Sequence, residues 1–235
     1  MRNKTVIVEI EFNNRSKPNN KWKVGLTKRW IEYRMSIFMK YTLQSLKKQT
    51  NQHFTALVRY APESEKLIRQ TLKKYKPLPG NIRFVTDSRL LDVKKRLAQG
   101  SRYLYLVRLD CDDTYNKTYV QQLHDAKPKS GVYALINQKG YVHDSVHHRV
   151  APIYLPSPPF YTWIYKTKEY IRGKRYNVRG HGQVIRHKHE IMTTNGKRNY
   201  MIIVHKKNTL NQNLLSKCKF VKNRAKVKLV LKKFI

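Results

Sequence analysis

The chain has 235 residues, 40% of them apolar and 11% aromatic, which excludes a disordered polymer and is enough for one globular core. Its 50 Lys and Arg against 14 Asp and Glu give a formal charge of +36, which attracts polyanions: nucleic acid, an anionic membrane or a phosphate-rich glycan. No apolar run is long enough to cross a bilayer, which excludes a membrane-spanning helix.

The first half alternates between strand and helix patterns. Apolar residues with helical spacing predict helices, and short β-branched and aromatic runs predict strands. The predicted segments are a strand Thr5–Phe12, a loop Asn13–Val24, a helix Lys28–Gln49, a strand Phe54–Tyr60, a helix from Pro62 to about Tyr75, a strand Ile82–Thr86, a helix from Asp87 or Ser88 to Gln99, a strand Tyr103–Leu109 and a helix Asn116–Ala126. This order predicts a mostly parallel sheet with helices on both faces.

The pattern changes after Gly131, where shorter segments follow one another. They are strands Val132–Asn137, Tyr141–His143 and Arg149–Leu155, a helix Trp163–Ile171, a strand Tyr200–Val204 and a helix Asn208–Lys217. We therefore expect an α/β fold whose second half is smaller and mixed.

Three carboxylates, Asp110, Asp112 and Asp113, follow the fourth predicted strand at once. Open α/β sheets bind their ligands at the carboxyl ends of strands. Neighbouring carboxylates repel one another unless a cation lies between them, and a divalent metal that bridges a diphosphate is such a cation. The alternative is an exposed acidic turn at a helix N-terminus.

Only four acids follow Asp113, so candidates for a catalytic base are few. A positioned carboxylate can take the proton of an attacking hydroxyl. Asp125 ends a predicted helix beside Pro128 and Glu169 lies on a solvated face among lysines, so Glu190 is the favoured candidate and Asp144 the second. A surface Glu190 paired with Lys188 is the alternative, and a reaction that retains configuration would need no such base.

Two segments are basic and contain no acid. In the run 172–188, Arg175, Arg179 and Arg186 are candidates to bind a diphosphate or an anionic acceptor. The tail 217–235 has eight Lys and Arg with interleaved apolar residues; it could lie on an anionic membrane, touch a polyanion or be solvated.

The histidines suggest an alternative kind of metal site, one that binds zinc. His143 and His147 have the i, i+4 spacing of a helical zinc site, but the intervening Glu and a third ligand are missing. Hydrogen-bonded histidines are the favoured interpretation. His205, which follows an apolar strand, is either a site residue or an ordinary residue of the strand end.

Three stretches resemble the bacterial rhamnosyltransferases of GT-A type and together span about residues 5–210. The stretch 30–54 has the pattern W-x-x-x-R-x-x-x-F-x-x-Y-T-x-x-S-L-x-x-Q-T-x-x-x-F, and residues 107–120 resemble the R-L-D-x-D-D block and its helix. Val204-His-Lys-Lys-Asn208 resembles the late V-x-H-x-x-N element in its H-x-x-N part. Where many GT-A enzymes have an acid that reads the base, this chain has Tyr60-Ala61-Pro62, so the nucleotide is not specified.

The resemblance implies a GT-A, Rossmann-like fold, a nucleotide-sugar donor (UDP-, dTDP- or GDP-linked) and Mn²⁺ or Mg²⁺. It implies that Asp112, with Asp110 or Asp113, binds metal and donor, and that His205 contacts the metal or the diphosphate. Candidate donor-binding residues are Arg108, Asp110, Asp87 and Lys94. We expect residues 1–127 to bind the donor, 128–216 to bind the acceptor, and 217–235 to form a basic tail.

The favoured hypothesis is a metal-dependent glycosyltransferase that acts on an anionic acceptor: a cell-wall polymer, a lipid-linked glycan or modified nucleic acid. The alternatives are a nucleic-acid-binding protein without sugar chemistry and an inactive module on a membrane surface. Two cysteines are too few for a disulfide framework. We expect a cytoplasmic protein, with peripheral binding at the inner membrane face as an option.

Overall fold

The computed structural model describes residues 2–13, 21–192, 197–208 and 212–235. Strands β1 to β11 are Arg2–Glu11, Thr55–Tyr60, Ile82–Thr86, Ser101–Asp110, Thr114–Tyr115, Ala134–Ile136, Lys139–Asp144, Arg149–Tyr154, Tyr161–Lys166, His189–Ile191 and Tyr200–Val204. Helices α1 to α9 are Lys21–Val24, Lys28–Lys40, Thr42–Lys47, Glu65–Leu72, Asp87–Ala98, Tyr119–Asp125, Thr167–Ile171, Gln212–Leu215 and Arg224–Leu231. Pro62–Ser64 and His181–Arg186 form 3-10 helices.

The large sheet has seven strands in the order β10-β6-β9-β4-β1-β2-β3. β9 runs antiparallel to β4 and β6, and the other neighbouring pairs are parallel. The long strand β1 lies between β2 and β4, so its carboxyl end lies beside the end of β4, with Glu11 opposite Asp110. The expected α/β fold class, a mostly parallel sheet flanked by helices, is confirmed.

Helices cover both faces of this sheet because its central strands are apolar on both sides. On one face, Val8 of β1 packs in a core with Phe38 of α2 and with residues of α3, α4 and α6. On the other face, Ile7 packs in a core with Leu90 of α5 and Tyr170 of α7. Buried parallel strands have this two-sided apolar character.

A small mixed sheet, in the order β5-β11-β7-β8, adjoins the carboxyl end of β4. β5 follows the carboxylates within two residues, and its Thr114 pairs with Met201 of β11. β11 then ends at Val204, immediately before His205. The second sheet therefore brings a residue 93 positions away in sequence to Asp112.

Several predicted segments were wrong in detail. The predicted helix Trp163–Ile171 is mostly strand β9, because its aromatic and β-branched residues are buried on both sides between β4 and β6 and favour a strand. The predicted helix Lys28–Gln49 divides at Tyr41. Strands β5 and β10 were not predicted. Parts of two predicted segments, 14–20 and 209–211, lie outside the described residues.

The tail 217–235 packs its apolar side into the fold. Val227 of α9 is buried, and Phe234 is fully buried in a cluster with Ile37 of α2 and Met201 of β11. Leu229 is exposed. Within the described residues, no helix combines the length and the apolar character that a bilayer crossing requires.

Strands β6, β9 and β10, which belong to the predicted acceptor half, complete the large sheet. The two predicted halves therefore share one sheet, and their separate donor and acceptor roles stay a prediction.

Candidate functional site

The candidate site lies where β4 ends, in the segment Asp110–Asp113. The three carboxylates point to three different places. Asp112 lies toward α2, Asp113 toward the small sheet, and Asp110 toward the face that α5 covers. The sequence predicted their common location, and the tertiary structure separates their environments.

Asp112 is held between a guanidinium and an imidazole. Arg34 of α2 donates from Nη1 to Oδ2 at 3.0 Å and from Nη2 to Oδ1 at 3.3 Å, and its Nε–H donates to the sulfur of Cys111. His205 Nε2 lies 3.3 Å from Oδ2. Such bidentate pairs fix both position and charge. Burial works to raise the pKa of Asp112, but Arg34 and His205 outweigh it and hold that pKa below its usual value.

Tyr33, the neighbour of Arg34 on α2, holds His205 from the other side. Its hydroxyl lies 2.9 Å from Nδ1, and the two rings meet edge to face at 5.7 Å. A hydrogen bond at Nδ1 fixes the orientation of the imidazole that presents Nε2 to Asp112. Sequence reasoning assigned no role to Tyr33 or Arg34, although Arg34 is the arginine of the W-x-x-x-R pattern.

Asp113 joins the two sheets. Its side chain is buried, and Oδ1 accepts the backbone N–H of Ile203 in β11 at 2.9 Å. Burial and the negative charges of Asp112 and Asp110 raise its pKa well above the usual value. Of the predicted metal-binding residues, the structure thus brings Asp112 and His205 together and turns the carboxylate of Asp113 to the backbone of the small sheet.

Asp110 and Arg108 leave β4 on the opposite face, where they form an ion pair at 2.8 Å. Arg108 also donates to the carbonyl oxygen of Pro159. Burial raises the pKa of Asp110, and the attraction of Arg108 opposes that rise. Both residues line a cavity of about 320 Å³ on this face of the sheet.

A charged network continues along the floor of this cavity. Arg59 of β2 pairs with Glu9, Glu11 and Asp87, and Lys94 of α5 pairs with Glu9 at 2.6 Å. Aromatic side chains of β9, which neighbours β4 in the sheet, also line the cavity. The candidate donor-binding residues Arg108, Asp110 and Lys94 therefore share one cavity, and Asp87 joins them through Arg59. The role of the β9 aromatic residues was not recognised in the sequence.

The two candidate bases have other partners. Glu190 lies on β10, three strands from β4, or roughly 14 Å across the sheet at the usual strand spacing, and accepts the backbone N–H of Lys129. Asp144 ends β7, opposite Val204 and so near His205. The geometry does not support either as the base, and their catalytic roles stay predictions.

Asp144 is near the site, but its carboxylate is engaged. Its side chain is 1% exposed and accepts from His147 Nδ1, from Arg149 Nε and from the backbone N–H groups of Val146 and His147. Four donors occupy the acceptor positions of a carboxylate, so this group shapes the turn after β7.

The remaining candidates are dispersed. Arg175 lines the cavity and stacks on Tyr170 at 3.8 Å, Arg179 is exposed beside it, and Arg186 is exposed at the end of a 3-10 helix. His143 is buried without a hydrogen-bond partner on either ring nitrogen, and burial lowers its pKa to about 4. His147 bonds to Asp144 instead.

Comparison with known proteins identifies the family of the chain. Residues 13–212 match the family described as "Putative rhamnosyl transferase". The chain belongs to this family. No curated protein is similar enough to count as a match.

Solved structures of low similarity cover most of this rhamnosyl transferase family member. S. aureus TarS 1–349 in complex with UDP-GlcNAc has a TM-score of 0.47 and 12% identity, covering 96% of this chain and 65% of that one. The structure of TarS 1–349 by itself gives 0.45 and 12%, covering 85% and 60%. The 4-diphosphocytidyl-2C-methyl-D-erythritol synthase of Anaerococcus prevotii gives 0.39 and 13%, covering 96% and 94%. The chain thus spans 60% of the TarS 1–349 structure that it matches.

In this family member, Asp112 and His205 are the predicted metal-binding residues that the structure brings together. The described residues contain no group of three His, Cys, Asp or Glu arranged for a metal. Mg²⁺ commonly takes only one or two protein carboxylates and completes its shell with water and substrate phosphates. Mn²⁺ also accepts carboxylate oxygen, and imidazole binds the related transition metals. A cation at this pair would therefore need substrate phosphates and water to complete its shell.

Proposed function

We propose that the chain is a metal-dependent glycosyltransferase that moves a sugar from a nucleotide-sugar to a hydroxyl of an anionic acceptor. The observation that supports the proposal most strongly is the cluster of Asp112, Arg34 and His205 at the end of β4, beside the cavity of Asp110 and Arg108. In this proposal the donor diphosphate binds at the cluster.

The chemistry required is stabilisation of a leaving nucleoside diphosphate. A bound Mn²⁺ or Mg²⁺, held by Asp112 and His205, would neutralise the negative charge that develops on the diphosphate. Arg34 supplies a second positive charge, because its guanidinium is always protonated and is fixed by two hydrogen bonds to Asp112. Tyr33 orients His205. In the proposed reaction these residues bind and position the leaving group.

The charge distribution supports an anionic acceptor. Residues 191–235 contain twelve Lys and Arg and no Asp or Glu. Within the described part of this segment, none of these cations forms an ion pair. A phosphate-rich glycan, a lipid-linked glycan or a nucleic acid fits such a surface. The same observation favours the second candidate function, nucleic-acid binding without sugar chemistry, in which salt would weaken binding steeply.

The test is hydrolysis or transfer of UDP-, dTDP- and GDP-linked sugars with Mn²⁺ or Mg²⁺. Asp112→Asn removes the charge at the cluster, and Asp92→Asn, on the exposed side of α5, is the matched control. We expect Asp112→Asn to lose metal-dependent nucleotide binding and turnover while Asp92→Asn keeps both. Equal activity of both variants would refute the assignment. NMR of the product's anomeric configuration would separate inversion from retention.

A further inference from the structure

A second cavity opens beside the first and shares part of its wall. It has a volume of about 580 Å³, and Tyr161, Trp163 and Tyr176 line both cavities. The two cavities adjoin at these three residues, and we call them together the aromatic cleft. Its outer part is completed by Asn177, Val178, Arg179 and Gln183.

The wall of the aromatic cleft combines rings with hydrogen-bonding groups. The ring centroids of Trp163 and Tyr176 lie 5.0 Å apart, and those of Tyr161 and Trp163 lie 5.4 Å apart. Asn177 and Gln183 line the second cavity together with these rings, and Gln183 Oε1 accepts the backbone N–H of Arg179. Rings with a few placed polar groups make a site for a ligand that has an apolar face and hydroxyl groups at its edge. A sugar ring has this character.

The charges of the aromatic cleft favour an anion. Arg59, Lys94 and Arg108, deeper in the first cavity, are each paired with a carboxylate. Arg175 and Arg179 form no ion pair with any described acid. Arg175 is nevertheless held in place, because its Nη1 donates to the carbonyl oxygen of Tyr170 at 2.7 Å. A fixed guanidinium without a carboxylate partner is suited to a carboxylate or phosphate of a ligand.

The direction of the aromatic cleft leads away from Asp112. Asp110 lines its inner end, while Trp163 pairs with Leu106, four residues lower on β4, or about 13 Å at the rise of a strand. A chain molecule that lies in the cleft would bring one end to Asp110, next to the proposed donor site. The remainder would extend past Tyr176 toward Arg179.

We propose that the aromatic cleft binds the acceptor and that this acceptor is an acidic oligosaccharide. This inference rests on the proposed function, since it gives the cleft the second substrate of the same reaction. Sugar rings lie against Tyr161, Trp163 and Tyr176, and an acidic group lies at Arg175 or Arg179.

The test uses tetragalacturonate as the acidic probe and maltotetraose as the neutral one, with binding followed by calorimetry. Arg179→Gln and Gln183→Ala alter the aromatic cleft at exposed or half-buried positions, and Arg172→Gln removes the same charge from an exposed position outside it. Binding of UDP with Mn²⁺ is measured in every variant. Loss of one charge-assisted contact weakens binding about tenfold.

We expect tetragalacturonate to bind and maltotetraose to bind far more weakly. Arg179→Gln should weaken tetragalacturonate binding about tenfold and leave UDP binding unchanged. Arg172→Gln should bind tetragalacturonate and UDP as the wild type does. The inference is overturned if the wild type binds neither probe, if both probes bind equally, or if Arg172→Gln matches Arg179→Gln. It is also overturned if the cleft variants lose UDP binding equally, which would make the cleft part of the donor site. Failure of the proposed function would appear separately, as no turnover of any nucleotide-sugar by the wild type.

Discussion

Arg34 is the residue whose replacement tests the site most directly. Two nitrogens of its guanidinium contact the carboxylate of Asp112. The side chain of Asp112 is 10% exposed and that of Arg34 is 22% exposed. Arg34→Met keeps the length of the side chain but leaves the carboxylate with His205 alone. Removing one partner of a buried ion pair costs about 3–5 kcal/mol.

We take about 3 kcal/mol for Arg34→Met, because the pair is partly open to solvent. For a domain of this size, 1 kcal/mol moves the midpoint of thermal unfolding by about 2–4 °C, so the expected drop is roughly 6–12 °C. Arg34→Lys keeps the charge but loses the bidentate geometry, and its drop should be smaller. Arg29→Met, an exposed arginine on the same helix, is the control.

The double variant Arg34→Met with Asp112→Asn separates the ion pair from other effects. Removing both charges leaves no unpaired carboxylate, so the double variant should be more stable than the sum of the two single changes predicts. Chemical denaturation of the four proteins measures this coupling. A drop for Arg34→Met no larger than that for Arg29→Met, or strict additivity in the double variant, would refute the account of the cluster.

Three further predictions concern neighbouring groups. Asp113→Asn keeps an oxygen for the N–H of Ile203. Because folding raises the pKa of Asp113, the wild type loses stability as the pH rises above about 4, and the variant does not. The difference in free energy of unfolding should therefore grow in favour of the variant from pH 4 to pH 7, and a constant difference would contradict this. The pKa of His143 falls from 6.5 to about 4 on folding, so the wild type loses about 3 kcal/mol of stability as the pH falls through that window. His143→Phe should not show this loss. If the free energies of unfolding of the two proteins fall in parallel with pH, the prediction is wrong. Tyr33→Phe keeps the ring against His205 but loses the hydroxyl that orients it. Mn²⁺ binding, measured by electron paramagnetic resonance, should weaken about 10–100-fold. Unchanged binding would show that Tyr33 does not orient His205.

The sequence by itself determined the strand order of the first half and the location of the carboxylates. Both depend on local patterns: apolar runs of strand length, helical periodicity and the abrupt change to Asp110 at the end of β4. The family pattern added His205, which local periodicity does not distinguish from any other residue at the end of a strand.

Only the tertiary structure decided which side chains meet. Asp110, Asp112 and Asp113 look alike in sequence, yet one pairs with Arg108, one with Arg34 and one with the backbone of β11. The residues from 161 to 166 form a strand rather than a helix because they lie between β4 and β6, a neighbourhood that no local pattern records. Pairing across the sheets joins residues far apart in sequence, and such contacts define the cluster and the cleft.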